Sequence, residues 1–184
     1  MAKKHYIALL RGINVGRAKR VPMADLCQLV AELGFGDVRS ILNSGNVVFS
    51  GPAKKPAAVA TAIEEALVLR LGVASRVIVL DHDELAGIID ANTLVEHATD
   101  FSRLLVFVLE QPELRALLVP LAERDWGKEA LALGDRAAYV WCPAGVLDSA
   151  VAAAVGKQLG DKTTSRNWNT LSKLHVLCSE RAKM

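Results

Sequence analysis

Apolar residues along this chain follow two rhythms, short unbroken runs and stripes spaced i, i+3, i+4, i+7, with Gly, Pro and Asn between them. His5 to Leu10 is mostly apolar without helical spacing, which predicts a buried strand. Pro22 suits the first turn of a helix, where its missing N–H costs nothing. Leu26, Leu29, Val30 and Leu33 give that helix one apolar face, and Gly34 is placed to close it in a left-handed conformation. Val38 to Leu42 and Val47 to Phe49 predict two strands around Asn43-Ser44-Gly45-Asn46, where Asn and Gly tolerate the positive φ of a hairpin turn. Gly51 to Pro56 is a turn cluster, Val59, Ile63, Ala66 and Leu67 mark a second helix ending near Gly72, and Arg76 to Leu80 is a fourth strand. The order is β-α-β-β-α-β, the split arrangement of a ferredoxin-like sandwich.

A short helix over Asp83 to Ala91 and a polar, acidic linker over 92–100 follow. A second round then begins with a strand at Leu104 to Leu109 and a helical stripe at Leu114, Leu117, Leu118 and Leu121, which Pro120 is expected to kink or end early. Glu129 to Leu133 and Ala137 to Cys142 flank the hairpin signal Gly134-Asp135, and Val151, Ala154, Val155 and Leu159 form a helix face ended by Gly160. Lys162 to Ser165 leaves room for a brief strand, and Asn167 is placed to cap a final helix carrying Trp168, Leu171, Leu174 and Cys178 on one face. The predicted fold class is α+β, with two ferredoxin-like subdomains over 1–91 and 101–184, the second with an added C-terminal helix. The rounds match in element order but not in residues.

With 184 residues, 52% of them hydrophobic, the chain can bury one or two cores without staples. Its unbroken apolar runs, such as Leu104 to Leu109, reach six residues at most, far short of the roughly 20 a bilayer needs. The start has basic residues ahead of an apolar patch as a signal peptide does, but Arg11 ends the patch after five residues, so it reads as a strand. Cys27, Cys142 and Cys178 suggest neither a disulfide framework nor a zinc site, and the cytoplasm is the expected compartment, with no membrane partner, metal or cofactor. The net charge of +2 is unevenly spread. Residues 1–24 hold six Lys or Arg and no acid, leaving the remainder at −4, and Asp81 to Glu113 holds eight acids against Arg103. Clustered cations favour an anionic partner, or form a plain solvated face.

Topology adds what spacing cannot. In this sandwich the first and second strands are parallel with the third between them, so the exit of the first strand and the hairpin of the next two share one edge. Arg11 and Asn14 are therefore expected beside Asn43, Ser44 and Asn46, with Arg17, Lys19 and Arg20 arriving from the connecting loop and the first helix starting at the same edge. One reading makes this edge a site for a small anionic or phosphate-bearing ligand. The other makes Gly12, Gly16 and Gly45 turn residues, has Asn14 and Asn46 bond their own backbone, and pairs Arg11 with an acid such as Asp37.

Four blocks, L-L-R-G-I-N-V-G at Leu9 to Gly16, V-P-M at Val21 to Met23, N-S-G-N-V-V-F at Asn43 to Phe49 and T-S-R-N-W-N-T-L-S-K-L at Thr164 to Leu174, together resemble a bacterial family, the domain-of-unknown-function family sixteen ninety-seven. The resemblance implies two α+β subdomains of ferredoxin-like character and no established activity. The chain departs from it at Arg17, where the family tends to have a second Gly, and at Ser165, where it tends to have Thr. The resemblance also draws in Thr164, Arg166 and Asn167: an Arg beside hydroxyls at a helix start could hold a phosphate, with Trp168 stacking on a base. Alternatively Asn167 caps, Trp168 anchors a core and Arg166 fastens the last helix.

Three function classes differ in support. For an enzyme, no G-x-S-x-G elbow, Walker loop, Rossmann glycine set or H-E-x-x-H is present, and His82, Asp83 and Glu84 are adjacent and face different ways. Nucleic-acid binding lacks the alternating aromatics of an RNA-recognition sheet, so a small anion is preferred. A homodimer pairing the basic N-terminus with the acidic 81–113 region is the third.

Overall fold

A computed structural model describes residues 2–17 and 19–184. The chain falls into two compact units, Met1–Leu85 with Leu174–Met184, and Ala86–Lys173. Both are α+β, each built on a four-stranded antiparallel sheet.

In the first unit β1 (Lys3–Leu10), β2 (Gly36–Ile41), β3 (Asn46–Pro52) and β4 (Val77–Asp81) lie in the order β2-β3-β1-β4. Tyr6 to Leu10 are buried without exception, as a central strand covered on both faces requires, which is why the run shows no polar alternation. Helices α1 (Met23–Glu32) and α2 (Pro56–Ala66), the latter running on through a π turn at Leu67–Leu71, press Leu26, Leu29, Val30, Val59, Ile63 and Leu67 against Tyr6, Ala8 and Leu10. An aromatic knot closes this core. Phe49 stacks on Tyr6 at 5.5 Å and meets Phe35 edge-on at 4.8 Å, and the Tyr6 hydroxyl donates to the Pro52 carbonyl at 2.9 Å while accepting from the Lys54 amide at 2.8 Å.

Two details of this unit differ from expectation. Pro22 precedes α1: its backbone is extended at ψ 136, and its carbonyl accepts the first helical bond, from Leu26 N at 3.1 Å. In β2 the pairing with β3 shifts register between Gly36 and Arg39, a bulge in which Asp37 takes φ +52. Asp37 bonds Lys3 at 2.6 Å, so it is not reserved for Arg11, and that bond holds its carboxyl below the usual range.

The second unit repeats the topology with β5 (Leu104–Leu109), β6 (Ala130–Leu133), β7 (Ala137–Trp141) and β8 (Thr163–Asn167) in the order β6-β7-β5-β8. The brief final strand is a full partner of β5, from Leu105↔Asn167 to Leu109↔Thr163. The stripe over Leu114 to Leu121 forms no regular helix. It is a 3-10 segment, Pro112–Leu118, followed by the single turn α4 (Val119–Ala122), and Pro120 sits in the first turn of α4 instead of ending a helix. Helix α5 (Ala150–Leu159) is capped by Ser149, whose Oγ accepts from Ala152 N at 3.0 Å.

Helices α3 (His82–Asp90) and α6 (Trp168–Ala182) complete the chain. The division of the chain departs from the expected 1–91 and 101–184 because the end of α6 bonds the first unit. Ser179 Oγ lies 3.1 Å from His82 Nε2, and Arg181 donates to the carbonyls of Asp37 and, at 3.4 Å, Val48. Among the described residues no helix is long and apolar enough to cross a membrane.

The β1 to β3 register ends at Leu9↔Asn46, and Leu10 N then donates to the Gly45 carbonyl at 2.9 Å. Gly45 holds φ +82, and a Cβ there would meet Ile13 Cδ1 and Leu10 Cβ, each at 2.8 Å. Gly45→Ala is expected to destabilise the first unit by about 2–3 kcal/mol, combining backbone strain with overpacking. Gly12→Ala, at φ +64 with no atom within 4 Å of the added carbon, is expected to cost about 1 kcal/mol. Urea unfolding of the two variants beside the parent checks the ranking, and equal costs would show that the contact with Ile13 and Leu10 relaxes freely.

Candidate functional site

The loop leaving β1, the turn between β2 and β3 and the start of β4 meet at one rim of the first unit. Arg11 N donates to the Arg76 carbonyl at 2.9 Å and its own carbonyl accepts from Ser75 Oγ at 2.9 Å, tying the loop to the start of β4. On the other side Asn14 Nδ2 donates to the carbonyls of Asn43 at 2.7 Å and Val21 at 2.9 Å, while its Oδ1 accepts from Val21 N at 2.9 Å. One side chain thus closes the loop on itself and fastens it to the hairpin. It does so from φ +55, and Asn14 N donates to the Lys19 carbonyl at 3.0 Å. Asn is among the few L-residues that reach this region readily.

The hairpin turn is built in the same way. Asn46 is fully buried, and its Nδ2 donates to the Ile41 carbonyl at 3.0 Å and to Ser44 Oγ at 2.8 Å. Asn43 contributes its carbonyl to Asn14. The juxtaposition of Arg11 and Asn14 with Asn43, Ser44 and Asn46 is therefore present, with both amide protons of Asn14 committed inside the protein. Six residues of the two turns are left-handed: Gly12, Asn14, Gly16, Lys19, Leu42 and Gly45. Of these only Lys19 and Leu42 are neither Gly nor Asn, and at these two the left-handed backbone carries a steric cost.

Cations crown the rim. Arg17, Lys19 and Arg20 are exposed, and the Arg20 guanidinium donates to the Gly16 carbonyl, which holds it over the loop. Among the described residues no carboxylate lies within ion-pair distance of these three, whereas Lys3, Lys4, Arg70 and Arg76 each pair with an acid. Helix α1 starts at the same rim with no side chain capping its first turn. Ser75 and Arg76 escaped sequence reasoning, although topology carried the signal: β4 runs antiparallel to β1 and must start where β1 ends.

Thr164, Arg166 and Asn167 belong to the second unit. Arg166 is buried within β8, its Nη1 donating to Thr164 Oγ1 and to the Ser165 carbonyl, each at 2.8 Å, and burial pushes its guanidinium down to about 10. Asn167 Oδ1 accepts from Thr170 N at 2.9 Å, a cap on α6, and Trp168 is buried at the start of that helix. Among the described residues no group of three His, Cys, Asp or Glu side chains could hold a metal.

Asn14→Gly keeps the left-handed backbone and removes the three side-chain bonds, so it is expected to destabilise the first unit by about 1–3 kcal/mol. Neutralising Arg17 or Lys19 should stay within about 0.5 kcal/mol. Thermal or urea unfolding checks both, and a neutral Asn14→Gly would mean that the loop is held by other contacts.

Comparison with curated proteins returned no match. Among solved structures, the conserved bacterial protein SP0830 from Streptococcus pneumoniae has a similar fold, with a TM-score of 0.77 at 23% identity over 96% of this chain and 99% of that one. The family described as "Protein of unknown function (DUF1697)" matches residues 3–139, which takes in both turns of the rim and ends before the Thr164 to Leu174 block. With three quarters of its length matched, and with the two-unit α+β fold already in place, the chain belongs to the DUF1697 family.

Proposed function

We propose that the rim of the first unit binds a small anionic, phosphate-bearing ligand. The observation that carries this reading is the exposed trio Arg17, Lys19 and Arg20, without a carboxylate in pairing distance among the described residues, on a loop pinned by Asn14. Left-handed residues within such turns help point successive backbone N–H groups into one concavity. In this reading Asn14, Asn43, Ser44 and Asn46 shape the cradle, and the cations meet the ligand. The same reading puts the protein in the cytoplasm, supported by Cys27, Cys142 and Cys178 as free thiols.

Titration with inorganic phosphate, pyrophosphate and a short single-stranded nucleic acid, at low and high salt, tests the proposal. Pyrophosphate is expected to bind at low salt and to weaken at least tenfold when Arg17, Lys19 and Arg20 are together replaced by Gln. Absence of binding at low salt, or an affinity untouched by the triple replacement, overturns it. Binding of the nucleic acid with a steep salt slope and no binding of pyrophosphate would replace the small anion with a polyanion.

A further inference from the structure

The rim carries apolar side chains that a bare phosphate has no use for. Val15 is 69% exposed and Leu42 56%. They stand on different loops, and the 2.7 Å bond from Asn14 Nδ2 to the Asn43 carbonyl joins their immediate chain neighbours, which brings the two loops together at this rim. The Arg20 guanidinium is bonded to the carbonyl of Gly16, the residue after Val15. Leu42 also holds φ +58, which disfavours a bulky L-residue and which Asn or Gly would adopt at less cost. The core of the first unit is built without Val15 or Leu42, so packing explains neither the strain nor the exposure.

Two aliphatic side chains flanked by cations with no paired acid match a ligand that is anionic at one end and aliphatic at the other. Resting on the reading of this rim as a phosphate site, we propose that its ligand is a phosphate ester of an aliphatic group, the phosphate held by Arg17, Lys19 and Arg20 and the hydrocarbon covered by Val15 and Leu42. Apolar contact of this kind strengthens binding by about fourfold for each methylene removed from water, whereas a cation-only site treats a free phosphate and its alkyl ester alike.

The test compares inorganic phosphate with hexyl phosphate by calorimetry, on the parent chain and on the double variant Val15→Ser, Leu42→Asn. Hexyl phosphate is expected to bind at least tenfold more tightly than phosphate to the parent, and that advantage should vanish in the double variant while phosphate affinity changes less than twofold. Leu42→Asn relieves the left-handed strain, so its melting temperature should hold or rise, separating lost binding from lost folding. Equal affinities for phosphate and hexyl phosphate, or an advantage that survives the double variant, overturn the proposal while leaving the phosphate site standing. Failure of both ligands to bind removes the two together. Co-sedimentation with vesicles containing phosphatidic acid tells the sources apart: capture that needs Val15 and Leu42 makes the ester a lipid headgroup, and binding of hexyl phosphate alone makes it a soluble molecule.

Discussion

The side-chain amide of Asn14 is the contact on which the shape of the first unit's rim depends. A twelve-residue loop, 11–22, between a central strand and a helix has many conformations, and ordering it costs on the order of 1 kcal/mol or more per residue in backbone entropy. Here a single amide bonds Val21 through both its oxygen and its nitrogen, at the far end of the loop, and reaches across to Asn43 in the neighbouring hairpin. The loop is thereby short-circuited at its base, and Val15, Gly16, Arg17, Lys19 and Arg20 stay exposed. Core packing supplies the platform beneath: Ile13 is buried against the position where Gly45 omits a side chain, so the two turns interlock through an apolar contact as well as a polar one.

The two units share a topology and put their polar residues to different uses. In the first, the loop after β1 is irregular and basic. In the second, the chain after β5 is wound into a 3-10 segment, and the conspicuous cation, Arg166, lies within a strand. A buried guanidinium needs its donors satisfied, because desolvation would otherwise dominate. Thr164 Oγ1 and the Ser165 carbonyl take two of its bonds, which makes the T-S-R run a local hydrogen-bonded unit. Ferredoxin-like topology thus fixes where polar segments fall without fixing whether they face solvent.

Much of the fold was legible because it rests on periodicity. The unbroken apolar run of β1, the helical stripe of α1 and the Asn-Ser-Gly-Asn turn each act locally, and the β-α-β-β-α-β order followed from them. The rim was legible one step further, since antiparallel pairing with β3 leaves the exit of β1 nowhere else to go. What stayed hidden depends on non-local packing or on backbone sign. Pro120 suits the start of a helical turn as well as its end, and only the 3-10 geometry before it decides. The last turns of α6 have the same apolar spacing whichever unit they bond. Leu42 reads as the end of a strand, and nothing in its chemistry announces φ +58. Asn14, read either as ligand-facing or as self-bonding, shows its bonds only once Val21 and Asn43 have positions.

The bulge in β2 bears on how this protein behaves among its own copies. β2 is an edge strand, and an unbroken edge would offer its free N–H and C=O groups as a template for an incoming chain. Between Gly36 and Arg39 the ladder is interrupted, Asp37 is turned left-handed, and Lys3 and Arg181 are both drawn to it. An approaching strand finds a kink and a left-handed residue where it needs a straight row of partners. The irregularity that disturbs the sheet on its inner side therefore guards the outer side against edge-to-edge aggregation.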